Sequence, residues 1–105
     1  MQGVYLKFYV TEHSRHKSIL LFEWLLEQAK KSGFHGGTAI RAEAGFGRHG
    51  KLHEETFFEL AAQLPVEVSF VLSVEEAERF LALLREEKLG LLYVKFPVEY
   101  DILPE

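Results

Sequence analysis

VEVSFVLSVEEAERFLALL, residues 66–84, changes its hydrophobic period halfway along, and that change decides the class of fold. Over residues 66–72, Val66, Val68 and Phe70 alternate with Glu67, Ser69 and Val71, the period of a strand with one buried side. From Ser73 onward the spacing is helical, with Val74, Ala77, Phe80, Leu81 and Leu84 on one side. The junction, SVEE at 73–76, is a capping box: the Ser73 hydroxyl accepts from the Glu76 amide while the Glu76 carboxylate reaches back to the Ser73 amide. Acids occupy the first turn, Arg85 and Lys88 lie near the end as the helix dipole favours, and Gly90 reads as the stop.

Working outward, LLYVKFPVEY, residues 91–100, reads as a fourth strand, placed at a sheet edge because Pro97 has no N–H for a ladder. Upstream, VYLKFYV, residues 4–10, sets Val4, Leu6, Phe8 and Val10 against Tyr5, Lys7 and Tyr9, which is strand one. TEHSRHKS then serves as a polar connection to a helix from about Ser18 to Ser32 that buries Leu21, Phe22, Leu25, Leu26 and Ala29 and closes at Gly33. TAIRAEA after Gly37 is a short second strand with Arg41 and Glu43 on one side, and HEETFFELAAQL, residues 53–64, reads as a short helix ended by Pro65.

The order β-α-β-β-α-β describes one α+β domain over residues 1–105, a four-stranded antiparallel sheet in the order 4-1-3-2 with both helices on one face. If Leu92, Val94 and Phe96 join Val4, Leu6, Phe8, Val66, Val68 and Phe70 beneath the helices, the open face carries Tyr5, Lys7, Tyr9, Arg41, Glu43, Glu67, Ser69, Val71, Tyr93 and Lys95. Three tyrosines among charges of both signs fit a subunit interface, so the chain is expected to self-assemble.

Composition narrows the remaining classes. A chain of 105 residues supports one core, burying roughly 60–70% of the surface its unfolded form exposes. A net charge of -4 argues against general nucleic-acid binding, which draws on a basic surface. The absence of cysteine removes disulfides and thiolate metal sites. MQGVYLKFYV lacks the layout of a secretory signal and no long apolar run follows, so a cytoplasmic protein without membrane insertion is expected. No asparagine, one aspartate and one methionine beside abundant glutamate give the composition a heat-adapted look.

Chemistry concentrates in AGFGRHGKLH, residues 44–53. Gly45 and Gly47 allow the backbone to approach a ligand and present consecutive amides to an anion, Arg48 and Lys51 add positive charge, and Arg41 stands at the end of strand two. Phe46 offers a flat surface for a purine or a plug for the core beneath, and His49 completes the run. His49 with His53, spaced i, i+4, and His13 with His16, spaced i, i+3, are alternative metal pairs, although neither brings a third ligand. His35, beside Gly36 and Gly37, is read as a turn residue. No hydroxyl sits in a nucleophile turn, no Walker-type run exists, and no asparagine is present to partner an arginine as in an acylphosphatase, so no catalytic residue and no enzyme activity is expected. Strand three lacks the aromatic motif of RNA-recognition domains.

YLKFYVTE at the first strand, LFEWLLEQAKKSGFHGGTAIRA, and GFGRHGKLHEETFFELAAQLPVEVSFV, with the Gly36-to-Gly47 spacing G-G-x-x-x-R-x-x-x-G-F-G most specific, resemble the PII-like proteins of domain of unknown function family 190. The resemblance spans almost the whole chain. It implies a ferredoxin-like fold assembled as a homotrimer, similar to PII signalling proteins and the CutA group, and a role in signalling without a required cofactor. In PII proteins the segment between strands two and three is the signalling loop, with adenine nucleotides held near its base between subunits. By that analogy Arg41, Gly45, Phe46, Gly47, Arg48, His49 and Lys51 would bind a phosphorylated ligand and relay its presence to a protein target, although this loop is shorter than the PII loop and lacks its modifiable tyrosine. A CutA-like trimer binding divalent metal through His49 and His53 is the alternative.

Overall fold

The computed structural model describes residues 1–46 and 64–105. In chain order the elements are β1 (Gln2–Thr11), β2 (Arg15–His16), β3 (Ile19–Leu20), α1 (Leu21–Lys31), β4 (Thr38–Arg41), β5 (Pro65–Leu72), α2 (Val74–Glu87) and β6 (Leu92–Glu99). The main sheet is antiparallel in the order β4-β5-β1-β6, the expected 4-1-3-2 read from its other edge. Of the short helix expected at 53–64 only Leu64 is among the described residues, where it leads into β5 outside any helix. None of the described helices is long and apolar enough to cross a membrane.

One core joins the sheet to both helices, and its centre is aromatic. Phe80 of α2 meets Phe8 of β1, Phe70 of β5 and Phe34 at centroid distances of 5.9, 5.3 and 5.3 Å, each ring edge-on to the next. That geometry suits the ring quadrupoles better than a face-to-face sandwich. Both bonds of the capping box are formed at the start of α2, the Glu76 amide donating to Ser73 Oγ at 3.1 Å and the Ser73 amide to Glu76 Oε1 at 2.9 Å. Such a cap contributes about 1 kcal/mol. α1 closes on Gly33 at φ +88, with Phe34 N–H donating to Ala29 O and Gly33 N–H to Lys30 O, a Schellman arrangement that also turns Phe34 into the core.

Several local expectations are corrected. The polar connection contains a hairpin: β2 and β3 pair Arg15 with Leu20 and His16 with Ile19 around Lys17 and Ser18, both at positive φ. These pairings hold Ile19 and Leu20 extended, so α1 begins at Leu21 rather than near Ser18. A turn of this handedness is normally built from Asn-Gly, and Lys-Ser gives no such signal. Arg15 donating to Ser18 O at 2.7 Å braces it. Trp24, absent from the expected core, is buried with its ring edge-on to His16 at 4.6 Å. Val74 is 44% exposed, because the first helical residue precedes the turn that lies over the sheet. α2 ends before Gly90, on Lys88 in the left-handed region at φ 53, and Gly90 at φ 67 then turns the chain into β6.

The largest correction concerns which side of the sheet the last strand presents. Register pairs Tyr5 with Phe96, Lys7 with Val94 and Tyr9 with Leu92, whereas Leu6 opposes Lys95 and Phe8 opposes Tyr93. Directly opposed residues share a face. Leu92, Val94 and Phe96 therefore lie on the open face, and Tyr93 and Lys95 on the helix side, where Tyr93 packs 5.9 Å from Phe8. One alternating set of β6, Leu92, Val94, Phe96 and Val98, is wholly apolar and the other, Tyr93, Lys95, Pro97 and Glu99, is largely polar, so composition points to the wrong side; pairing with β1 overrides it. β4 is likewise inverted. Arg41 opposes Val66 and Ala39 opposes Val68 on the helix side, leaving Thr38 and Ile40 on the open face.

Candidate functional site

The start of β5 lies between the ends of its two neighbours and ties them together. β1 finishes with Thr11 opposite Pro65, after which the Glu12 amide donates to Leu64 O at 2.9 Å. On the other side β4 finishes with Arg41 opposite Val66, and the Ala42 amide donates to Pro65 O at 2.9 Å. Glu12 and Arg41, far apart in sequence, thus flank the same turn of chain. Arg41 reaches over it, its Nη2 lying 2.6 Å from Glu12 Oε1.

The two partners differ in exposure. Glu12 is 8% exposed, the one charged residue in the described core, while the Arg41 side chain is 64% exposed. The second oxygen of Glu12, Oε2, is buried and finds no hydrogen-bond partner among the described residues. Glu12 therefore acts as a fixed anchor that holds one terminal nitrogen of a largely solvent-facing guanidinium, whose remaining donors suit carboxylate and phosphate oxygens. Sequence reading missed Glu12, one acid in a polar connection with no periodicity to single it out.

Beyond Arg41 the chain turns back over β5. A Cβ on Gly45 would stand 3.0 Å from Pro65 Cγ, so the lack of a side chain lets the backbone pass closely there. Phe46 follows at 68% exposure and does not plug the core. Arg41, Gly45 and Phe46 are thereby brought to one end of the sheet, while Gly47, Arg48, His49, Lys51 and His53 lie outside the described residues.

The other histidines serve elsewhere. His13 is exposed in the turn after β1. His16 Nε2 is 2.7 Å from Glu87 Oε1, and Lys17 Nζ lies 3.2 Å from the same oxygen, so the hairpin is clamped to α2. The hydrogen bond with His16, then that with Lys17, holds the Glu87 carboxyl below its ordinary pKa. Among the described residues no group of three His, Cys, Asp or Glu side chains is placed to hold a metal ion.

The open face of the sheet is the second feature with functional content. Tyr5 stacks on Phe96 at 5.0 Å, and Lys7 bridges to Glu67 at 3.0 Å while passing 5.6 Å from the Tyr5 ring. Hydrogen bonding to Glu67 raises the Lys7 pKa. Around them Ile40, Val71, Leu92, Val94 and Phe96 remain 38 to 58% exposed. This surface is more apolar than the inverted reading of β6 implied. A contiguous patch of this kind marks an interaction face more readily than scattered exposed apolar groups do.

Comparison with known proteins agrees with this architecture. Residues 3–99 match the model of the family DUF190, described as Uncharacterized ACR. The UPF0166 protein of Aquifex aeolicus (strain VF5) is 31% identical over 87 residues, covering 83% of each chain. Among solved structures, CPII from Thiomonas intermedia K12 bound to ADP and bicarbonate superposes with a TM-score of 0.66 at 13% identity, over 93% of this chain and 87% of that one. The same protein bound to ADP, AMP and bicarbonate gives 0.60 at 14% identity, over 97% and 98%. A Thermus thermophilus protein assigned to PII-like signalling gives 0.60 at 20% identity, over 92% and 85%. At these identities the likeness is one of fold.

Proposed function

From the premise that this chain belongs to the DUF190 family and has the fold of PII-like signalling proteins, we propose that it is a regulatory protein rather than an enzyme. Three copies meet through the open sheet faces, and an adenine nucleotide or similar phosphorylated small molecule binds in the clefts between them. The observation that carries the ligand reading is Arg41, held through Nη2 by buried Glu12 and otherwise turned to solvent at the root of the 44–53 segment. A structural neighbour of this fold holds ADP and bicarbonate, which supports an anionic ligand in the same class.

The division of labour follows from the residues. The Arg41 guanidinium neutralises phosphate, the backbone at Gly45 gives close approach, and exposed Phe46 presents a ring on which a purine can stack. Gly47, Arg48, His49 and Lys51 extend the same chemistry into the segment that reports occupancy to a protein target.

Calorimetric titration of the purified protein with ATP, ADP, AMP and cyclic AMP tests this reading. At least one should bind, and Arg41→Ala should weaken it by about tenfold or more, in line with the loss of a charge-assisted contact. Silence from all four at millimolar concentration would remove the nucleotide from the proposal.

A further inference from the structure

At the same end of the sheet as Arg41 but at its opposite edge, a groove of about 200 Å³ runs between the end of α2 and the start of β6, floored by Phe8, Leu84, Leu91 and Tyr93. Arg85 and Lys88 line it, and neither makes an ion pair among the described residues. At the other end of β6, residues 101–105, DILPE, leave the sheet with Ile102 and Leu103 exposed by 73 and 89%. We propose that this segment of one copy docks in the groove of a neighbouring copy, Ile102 and Leu103 on the apolar floor, with Asp101 and Glu105 beside Arg85 and Lys88.

Chemistry supports the pairing, and reach excludes the segment's own groove. Two adjacent aliphatic side chains flanked by acids complement an apolar floor flanked by cations, and opposed charges set the direction in which the segment lies. Pro104 keeps Leu103 out of helical conformation and so holds the segment extended before it docks. A chain cannot fill its own groove. Leu92 stands opposite Tyr9 and Glu99 opposite Gln2, so the length of β6, roughly 23 Å at the usual rise per residue, separates the segment's root from the groove. Leu103 follows Tyr100 by three positions and extends about 10 Å at most. Tyr100 is itself fixed, exchanging hydrogen bonds with Met1 through its amide and carbonyl.

So short a segment buries too little to join two molecules alone, and the contact therefore rests on the assembly proposed above, within which it forms at high effective concentration. The test exploits a chain without cysteine. The variant carrying both Leu89→Cys and Leu103→Cys, oxidised as the intact protein, should give covalent multimers of the 12.1 kDa chain on a denaturing gel, with each single variant remaining mostly uncrosslinked. Adding Arg85→Glu and Lys88→Glu should slow cross-linking about tenfold, and Asp101→Lys with Glu105→Lys should restore it. Light scattering on the unmodified protein separates the two ideas. An oligomer whose double-cysteine variant stays as single chains, or cross-links no faster than Leu103→Cys alone, overturns the docking and leaves assembly intact, whereas a monomer at all concentrations overturns both.

Discussion

On the helix side of the sheet, Phe8, Phe70 and Phe80 are sealed to 2% exposure or less; on the open side, across the same strands, Phe96 and Val71 stay nearly half exposed. Both sides are apolar and aromatic, and both contain close ring pairs. They differ in what covers them. Two amphipathic helices cap the first, so its rings are committed to folding, while the second has no cover within the described chain and is available for association. Apolar character marks a surface that needs a partner, and only the packing shows whether that partner is inside the chain or outside it.

Substitutions can break this contrast. The largest effect is expected from Phe80→Ala, which empties the meeting point of three rings and should cost about 3–5 kcal/mol in unfolding free energy measured by urea denaturation. A mirror-image test on the open side is Phe96→Glu. It should leave the circular dichroism spectrum native while raising the concentration at which the proposed trimer dissociates by at least about tenfold, equivalent to about 2.7 kcal/mol per trimer, as followed by light scattering. If Phe96→Glu instead unfolds the isolated chain as readily as Phe80→Ala, the two faces are not divided between folding and association.

A smaller effect sharpens the comparison by following a polar contact that belongs to folding alone. Glu87 has its carboxyl pKa depressed by His16 and Lys17, so the clamp between hairpin and α2 is fully present above the ordinary value of 4.5 and is lost as pH falls through the lower folded value. Thermal melts of Glu87→Gln should accordingly show less loss of stability below pH 4.5 than the unmodified protein, with no change in particle mass at neutral pH. Equal acid sensitivity in both proteins would remove Glu87 from the account.

Much of the fold could be read from residue order. The switch from period two to helical spacing at Ser73, the capping box, the left-handed Gly33 and the proline in the last strand each act within a few residues, and each took the expected role. The Lys17-Ser18 turn escaped because its residue types are unusual for its backbone, and Lys88 took the left-handed cap that Gly90 was expected to supply. Of the candidate site, Arg41, Gly45 and Phe46 were legible as chemistry, while Glu12 was not, because its importance comes from a partner brought to it by β5.

Residue order alone specified the four strands of the main sheet, the two helices packed on it, their order, and the helix ends at Gly33 and Ser73, since backbone propensity and side-chain spacing operate over short stretches of chain. Tertiary structure alone decided that Leu92, Val94 and Phe96 face outward and that Arg41 meets Glu12. An alternating strand specifies two faces without saying which is inside. That choice is made by the register of hydrogen bonds to a neighbour, where a slip of one residue exchanges every side chain from one face to the other.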